Sequence, residues 1–97
     1  MPYFISLVNW TDQGIGSVKQ SPQRLEDFKK AVTDAGGEVK DFFLTMGKYD
    51  MVVTVGLPTD EAAAVLMLST AQLGNIRTET MKAFTEQEYK TIISNIK

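Results

Sequence analysis

The sequence predicts an α+β fold, a four-stranded antiparallel sheet with two helices on one of its faces. Three observations carry this. Four short segments rich in apolar, β-branched or aromatic residues are interleaved with two segments whose apolar residues recur at helical spacing. Their order divides the chain into two similar strand–helix–strand halves. A length of 97 residues, 43% apolar and 23% charged, suits a single globular domain spanning residues 1–97.

Tyr3 to Trp10 reads as the first strand. Tyr3, Ile5 and Leu7 alternate with Phe4 and Val8, so both faces are apolar, the mark of a central strand covered on both sides. Thr11 to Gln20 reads as a loop, longer than the ~4–6 residues of most connections. Ser21 and Pro22 open the first helix, Ser21 as N-cap and Pro22 at the first helical position. Leu25, Phe28, Val32 and Ala35 form its buried stripe, and Gly36-Gly37 stops it.

Val39 to Thr45 and Asp50 to Gly56 read as a hairpin turning at Met46-Gly47-Lys48, with Gly47 supplying a positive φ and Met51, Val53 and Val55 facing inward. Leu57-Pro58-Thr59 breaks the pattern and caps a second helix, whose first turn holds Asp60 and Glu61 where the helix dipole favours them. Ala62 to Leu68 is apolar all round, which predicts deeper burial than for the first helix; Gly74 ends the segment. Asn75 to Ala83 is the fourth strand, with Ile76, Thr78 and Thr80 alternating against Arg77, Glu79 and Met81. Thr85 to Glu88 spells a capping box, flanked by Phe84 and Tyr89 as a hydrophobic staple. A short last helix follows, using Tyr89, Ile92, Ile93 and Ile96.

The order β-α-β-β-α-β-α is the ferredoxin-like βαββαβ arrangement plus a C-terminal helix. Right-handed crossovers then give a sheet of order 4-1-3-2. With helices on one face only, either Phe4 and Val8 or Ile5 and Leu7 must look away from them. The chain is therefore expected to carry an apolar patch on its open sheet face and to bury it against a second copy, as an isologous dimer. The alternatives are a monomer with a bare face, or a face covered by the last helix.

Composition excludes several classes of chemistry. Ten Lys plus Arg against twelve Asp plus Glu give a net charge of −2, with no basic surplus for nucleic acid. The chain has no Cys and no His, so it lacks thiolate chemistry and the commonest metal ligand and general base. No metal site and no cofactor are expected. No apolar run reaches the ~20 residues of a membrane span, and the N-terminus does not read as a signal peptide, so a cytoplasmic location is the expectation.

Several stretches resemble one family. Gly47-Lys48-Tyr49-Asp50 resembles the Gly-x-Tyr-Asp signature of the GYD domain family. Asn9 to Ile15, Ser21 to Leu25 and Gly36-Gly37 are similar to its N-terminal half; Gly74 to Thr80 and Ala83-Phe84 are similar to its C-terminal half. The resemblance implies a relationship to the dimeric α+β barrel superfamily, which contains ligand-sensing domains, cofactor-independent oxygenases and haem-handling enzymes. It implies a fold and a dimer, and it transfers no catalytic role.

Topology also places a candidate site. The end of the first strand, the hairpin turn and the start of the fourth strand share one edge of the sheet. That edge gathers Asn9, Trp10, Thr11, Tyr49, Asp50 and Arg77, polar and aromatic groups suited to a small ligand. Each also has a structural reading. Tyr49 would lay its ring on the core, Asp50 would cap a turn, and Arg77 would pair with Asp50 or Asp12. A base role for Asp50 with Tyr49 as proton donor requires burial in a cavity. Gly14-Ile15-Gly16 with Ser17 and Lys19 is a weak phosphate-loop signal. The functional expectation is a dimeric module that binds or senses a small molecule. The alternatives are a cofactor-independent oxygenase or isomerase, and an assembly protein that uses its open sheet.

Overall fold

A computed structural model describes all 97 residues. The elements are β1 (Tyr3–Trp10), α1 (Asp12–Gly16), α2 (Ser21–Asp34), β2 (Glu38–Leu44), β3 (Met51–Gly56), α3 (Asp60–Ala71), β4 (Ile76–Ala83) and α4 (Glu86–Ser94). The strands form one sheet of order β2-β3-β1-β4, every neighbouring pair antiparallel. This is the ferredoxin-like arrangement expected. No helix is long and apolar enough to cross a membrane.

The register decides which side of β1 is which. Phe4, Ser6 and Val8 lie opposite Val55, Val53 and Met51, and these six are buried together. Val32 of α2 and Ala63 and Leu66 of α3 complete the same cluster, so both helices sit on this face. Ile5 and Leu7 face away, beside Val52 and Thr54 of β3 and Met81 and Glu79 of β4. Of the two sets left open by the sequence, Phe4 and Val8 are core. Tyr3, Ile5 and Leu7 belong to the open face.

Four local expectations change. The segment expected to be a loop contains α1 and a 3-10 turn at Val18–Gln20. That turn runs directly into α2, so Ser21 is helical (φ −56°, ψ −40°) and no side chain caps the helix. The apolar α3 buries Ala63 and Leu66 but leaves Val65 and Leu68 66% and 71% exposed, because only one helical side can meet the sheet. Finally, α4 buries no residue and does not cover the open face: Phe43 and Met81 on that face remain exposed, as do Tyr89, Ile92 and Ile93 on the helix and Ile96 just beyond it.

The helix ends follow side-chain chemistry. Thr59 Oγ1 accepts from the Ala62 N–H at 3.0 Å. At α4 the Glu88 carboxylate accepts from the Thr85 N–H at 2.8 Å while Thr85 Oγ1 accepts from the Glu88 N–H at 3.2 Å, a complete capping box. The Thr85 N–H holds the Glu88 carboxyl below the usual carboxylate range.

Two glycines work by different physics. Gly47 sits at φ +127° in the β2–β3 connection with open space around it, so only backbone conformation demands glycine there. Gly14 in α1 packs against the chain that enters β4, and a Cβ there would overlap the Asn75 carbonyl oxygen. Gly47→Ala should therefore lower stability by about 1–2 kcal/mol through strain alone, and Gly14→Ala by about 3 kcal/mol, since backbone must move. Urea denaturation of both variants checks the order. Phe4→Asp, which puts a carboxylate into the closed core, should cost at least about 4 kcal/mol and leave the chain unfolded by circular dichroism.

Candidate functional site

The six candidate residues do gather at one end of the sheet, but its two faces divide them. Asn9 and Trp10 are consecutive in a strand and must point to opposite sides. Trp10 turns toward the helices and packs against the core. Asn9 turns to the open face, opposite Arg77 of β4.

Asp50 and Thr11 are occupied by backbone. The β1–β3 ladder ends at Val8 and Met51, and Asp50 extends it: its N–H donates to the Val8 carbonyl at 2.9 Å, and its Oδ2 accepts from the Trp10 N–H at 3.0 Å. Thr11 donates its N–H to the Asn75 carbonyl at 3.0 Å and its hydroxyl to the Gly74 carbonyl, while Oγ1 accepts from the Gly14 N–H at 3.1 Å. Gln13 adds hydrogen bonds to the Leu73 carbonyl and the Asn75 side chain, both at 3.0 Å. The Arg24 guanidinium donates to the carbonyls of Gly14 and Ser17. Gly14 is thus buried with its N–H and carbonyl both engaged, which leaves no open backbone cradle for a phosphate at that glycine.

On the open face Tyr49 donates its hydroxyl to Glu79 Oε2 at 2.8 Å. This hydrogen bond to the carboxylate favours the protonated phenol and raises its pKa above the ordinary value. Arg77 is exposed and forms an ion pair with neither Asp50 nor Asp12. Asn9, Tyr49, Arg77 and Glu79 border an open groove that also reaches Thr11. No group of three or more Asp or Glu side chains stands close enough to hold a metal ion.

A half-open, largely apolar pocket lies on the other face. α2 and α3 stand apart over the sheet and leave a cavity of about 260 Å³. Its floor is Ser6, Val8, Trp10, Met51, Val53, Ile76 and Thr78; Phe28 of α2 and Leu66, Met67 and Thr70 of α3 form its walls. Ser6, 1% exposed, is satisfied by Thr80 and the Met67 sulfur. The Trp10 indole Nε1 is buried without a hydrogen-bond partner. The charged lining residues are committed elsewhere, Arg24 to Ser17 and Gly14 and Asp27 to Gln23 at 3.0 Å. The cavity is an apolar pocket with few polar groups, chemistry suited to holding a molecule. Sequence reasoning missed it. The one available signal was the excess of Ser and Thr on the helix-facing sides of β1, α3 and β4, where bulkier residues would fill the space.

The comparisons with known proteins agree with this architecture. The GYD domain model matches residues 4–93. A Thermus thermophilus protein named "Glutamine synthetase and cystathionine beta-lyase binding protein" is 31% identical over 84 residues, 86% of this chain and 88% of that protein. A feast or famine regulatory protein from M. tuberculosis, solved with L-methionine, shares the fold with a TM-score of 0.66 at 16% identity; the match covers 88% of this chain but 51% of the regulator. This chain thus spans about half the length of that regulator. A solved structure from Thermus thermophilus has a TM-score of 0.56 at 22% identity, covering 88% of this chain and 95% of that one. With its model matched almost end to end, and the Gly-x-Tyr-Asp turn built as a structural stitch between β1 and β3, the chain belongs to the GYD domain family.

Proposed function

We propose that this protein is a small homodimeric binding module that takes a small, largely apolar molecule into the cavity between its helices and its sheet. The observation that carries the reading is the cavity at Trp10. It is larger than the ~150 Å³ engineered apolar cavity that admits benzene, and just below the ~300 Å³ at which drug-sized pockets begin. It suits one ring or a branched aliphatic chain with a polar end. The lining carries few polar groups, so the preferred ligand is largely apolar. A regulator that shares this fold over about half of its length was solved with L-methionine.

A second reading, recognition of other proteins, is favoured by the name of the Thermus relative, which describes the binding of two enzymes. The apolar open face would then meet a partner protein. The two readings differ in what occupies the sheet. The proposal assigns that face to a second copy, with Ile5, Leu7, Val52, Phe43 and Met81 packed across a two-fold axis.

Trp10 is the only tryptophan, so its fluorescence reads the cavity directly. Titration with phenol, p-cresol, benzamide and isovaleramide should shift its emission and stabilise the fold by up to about 2.7 kcal/mol at a hundredfold excess over Kd, read as a higher melting temperature. Thr70→Phe, which fills the cavity from α3, should abolish the response while the fold persists. No response to any probe, or an unchanged response in Thr70→Phe, would overturn the assignment. Analytical ultracentrifugation should show a dimer for the native chain and a folded monomer for Ile5→Asp. A dimer of unchanged affinity in that variant would reject the sheet-to-sheet contact.

A further inference from the structure

α4 has no support from its own domain. It buries no residue, and its side-chain hydrogen bonds and ion pair are all made within residues 85–94. Yet it is a nine-residue helix rich in β-branched residues, below the ~12–15 residues at which isolated helices become even marginal in water. The capping box fixes where it starts but does not supply the missing packing.

Its apolar side chains are ordered for contact. Tyr89, Ile92 and Ile93 fall at i, i+3 and i+4, one stripe along one side, and Ile96 follows just past the helix end; they are 57%, 44%, 48% and 69% exposed. Phe84, at the root of the helix, is 57% exposed. The molecule is correspondingly drawn out. Its radius of gyration is 14.6 Å and its longest dimension 51 Å, against roughly 12–13 Å for the radius of a compact chain of this length.

We infer that α4 is an exchanged arm, whose stripe docks on the second copy of the chain in the dimer proposed above and thereby completes the interface begun by the open sheet. This rests on that dimer and adds a separate contact to it. The area argument selects the occupant. On the open face only Phe43 and Met81 are exposed among the large apolar residues; Tyr3, Ile5, Leu7 and Val52 are half-buried between their strand neighbours. The exposed apolar part of that face is thus small beside the ~800 Å² per partner of a standard interface. The stripe and Phe84 add on the order of 500 Å², which brings sheet and arm together up to that size. In a two-fold dimer each copy gives one arm and receives one, so both helices gain the packing that neither has alone.

The test separates the arm from the dimer. The native chain and an Ile92→Lys/Ile96→Lys double variant are compared by sedimentation across a concentration series. Lysine is a better helix former than isoleucine, so the change removes docking and not helix propensity. The expected result is a dimer for the native chain and a dissociation constant raised at least about a hundredfold in the variant, with the melting of the sheet domain unchanged at concentrations where both are monomers. A native dimer with equal affinity in the variant would overturn the arm alone. A native chain that stays monomeric to about millimolar concentration would overturn the dimer, and the arm with it. A photo-activatable benzophenone side chain at position 93 then reads direction. Cross-links between two chains support exchange, whereas cross-links only within one chain show that α4 folds back on its own domain and reject it.

Discussion

Everything in this molecule follows from a central strand with two apolar faces and helices enough for one. β1 lies between β3 and β4, with Phe4 and Val8 sealed beneath the helices and Ile5 and Leu7 turned the other way. A strand of this kind suits a three-layer fold, whereas 97 residues fold here into two layers. The result is a domain with 12 residues buried and one largely apolar sheet face left uncovered, a form that suits a protomer completed by another surface.

Several residues that resemble binding groups are stitches, and they hold the segment that flanks the cavity. Pairing with β3 ends at Val8, so beyond it Asn9 and Trp10 are paired only with β4, on one side. Asp50 holds the Trp10 backbone from β3, and Thr11 and Gly14 hold the next residues against the entry to β4. Arg24 ties the same segment to α2. A carboxylate, a threonine, a glycine and an arginine that could each pass for binding chemistry thus fix one indole under two helices. Their polar groups are engaged within the chain, beside the apolar space between the helices and the sheet.

The fold was legible because its signals are local and redundant. Alternation in four segments, the Gly-Gly stop after α2, the Thr59 cap and the capping box at Thr85 each specify geometry within a few residues, and their order selects a single topology. The convergence at one sheet edge was legible for the same reason. Its division between faces was legible too, since Asn9 and Trp10 are adjacent in a strand, but topology by edges ignores which way a side chain points. α1 was hidden because Gly14 and Gly16 read as loop residues; Gly14 is there for the Asn75 carbonyl it touches, a contact of 61 residues' separation that no local pattern encodes. The open space between α2 and α3 was hidden because a cavity is a difference between two helix positions, and sequence gives the helices without their spacing.

The helix-facing and open sides of the sheet make opposite demands on the same strand, and this links the two proposals. A ligand entering between α2 and α3 contacts Met51, Val53 and Ile76, whose strand neighbours Val52 and Arg77 lie on the open face. Any adjustment of β1, β3 or β4 on the cavity side must appear on the other side within one residue, because alternate side chains share one backbone. A ligand and a partner copy therefore act on the same strands from opposite faces. If the partnered sheet is held flatter or more twisted than the free one, ligand affinity must differ between dimer and monomer, and linkage requires dimer affinity to change with ligand by the same factor. The coupling needs no moving lid and no contact between the two sites.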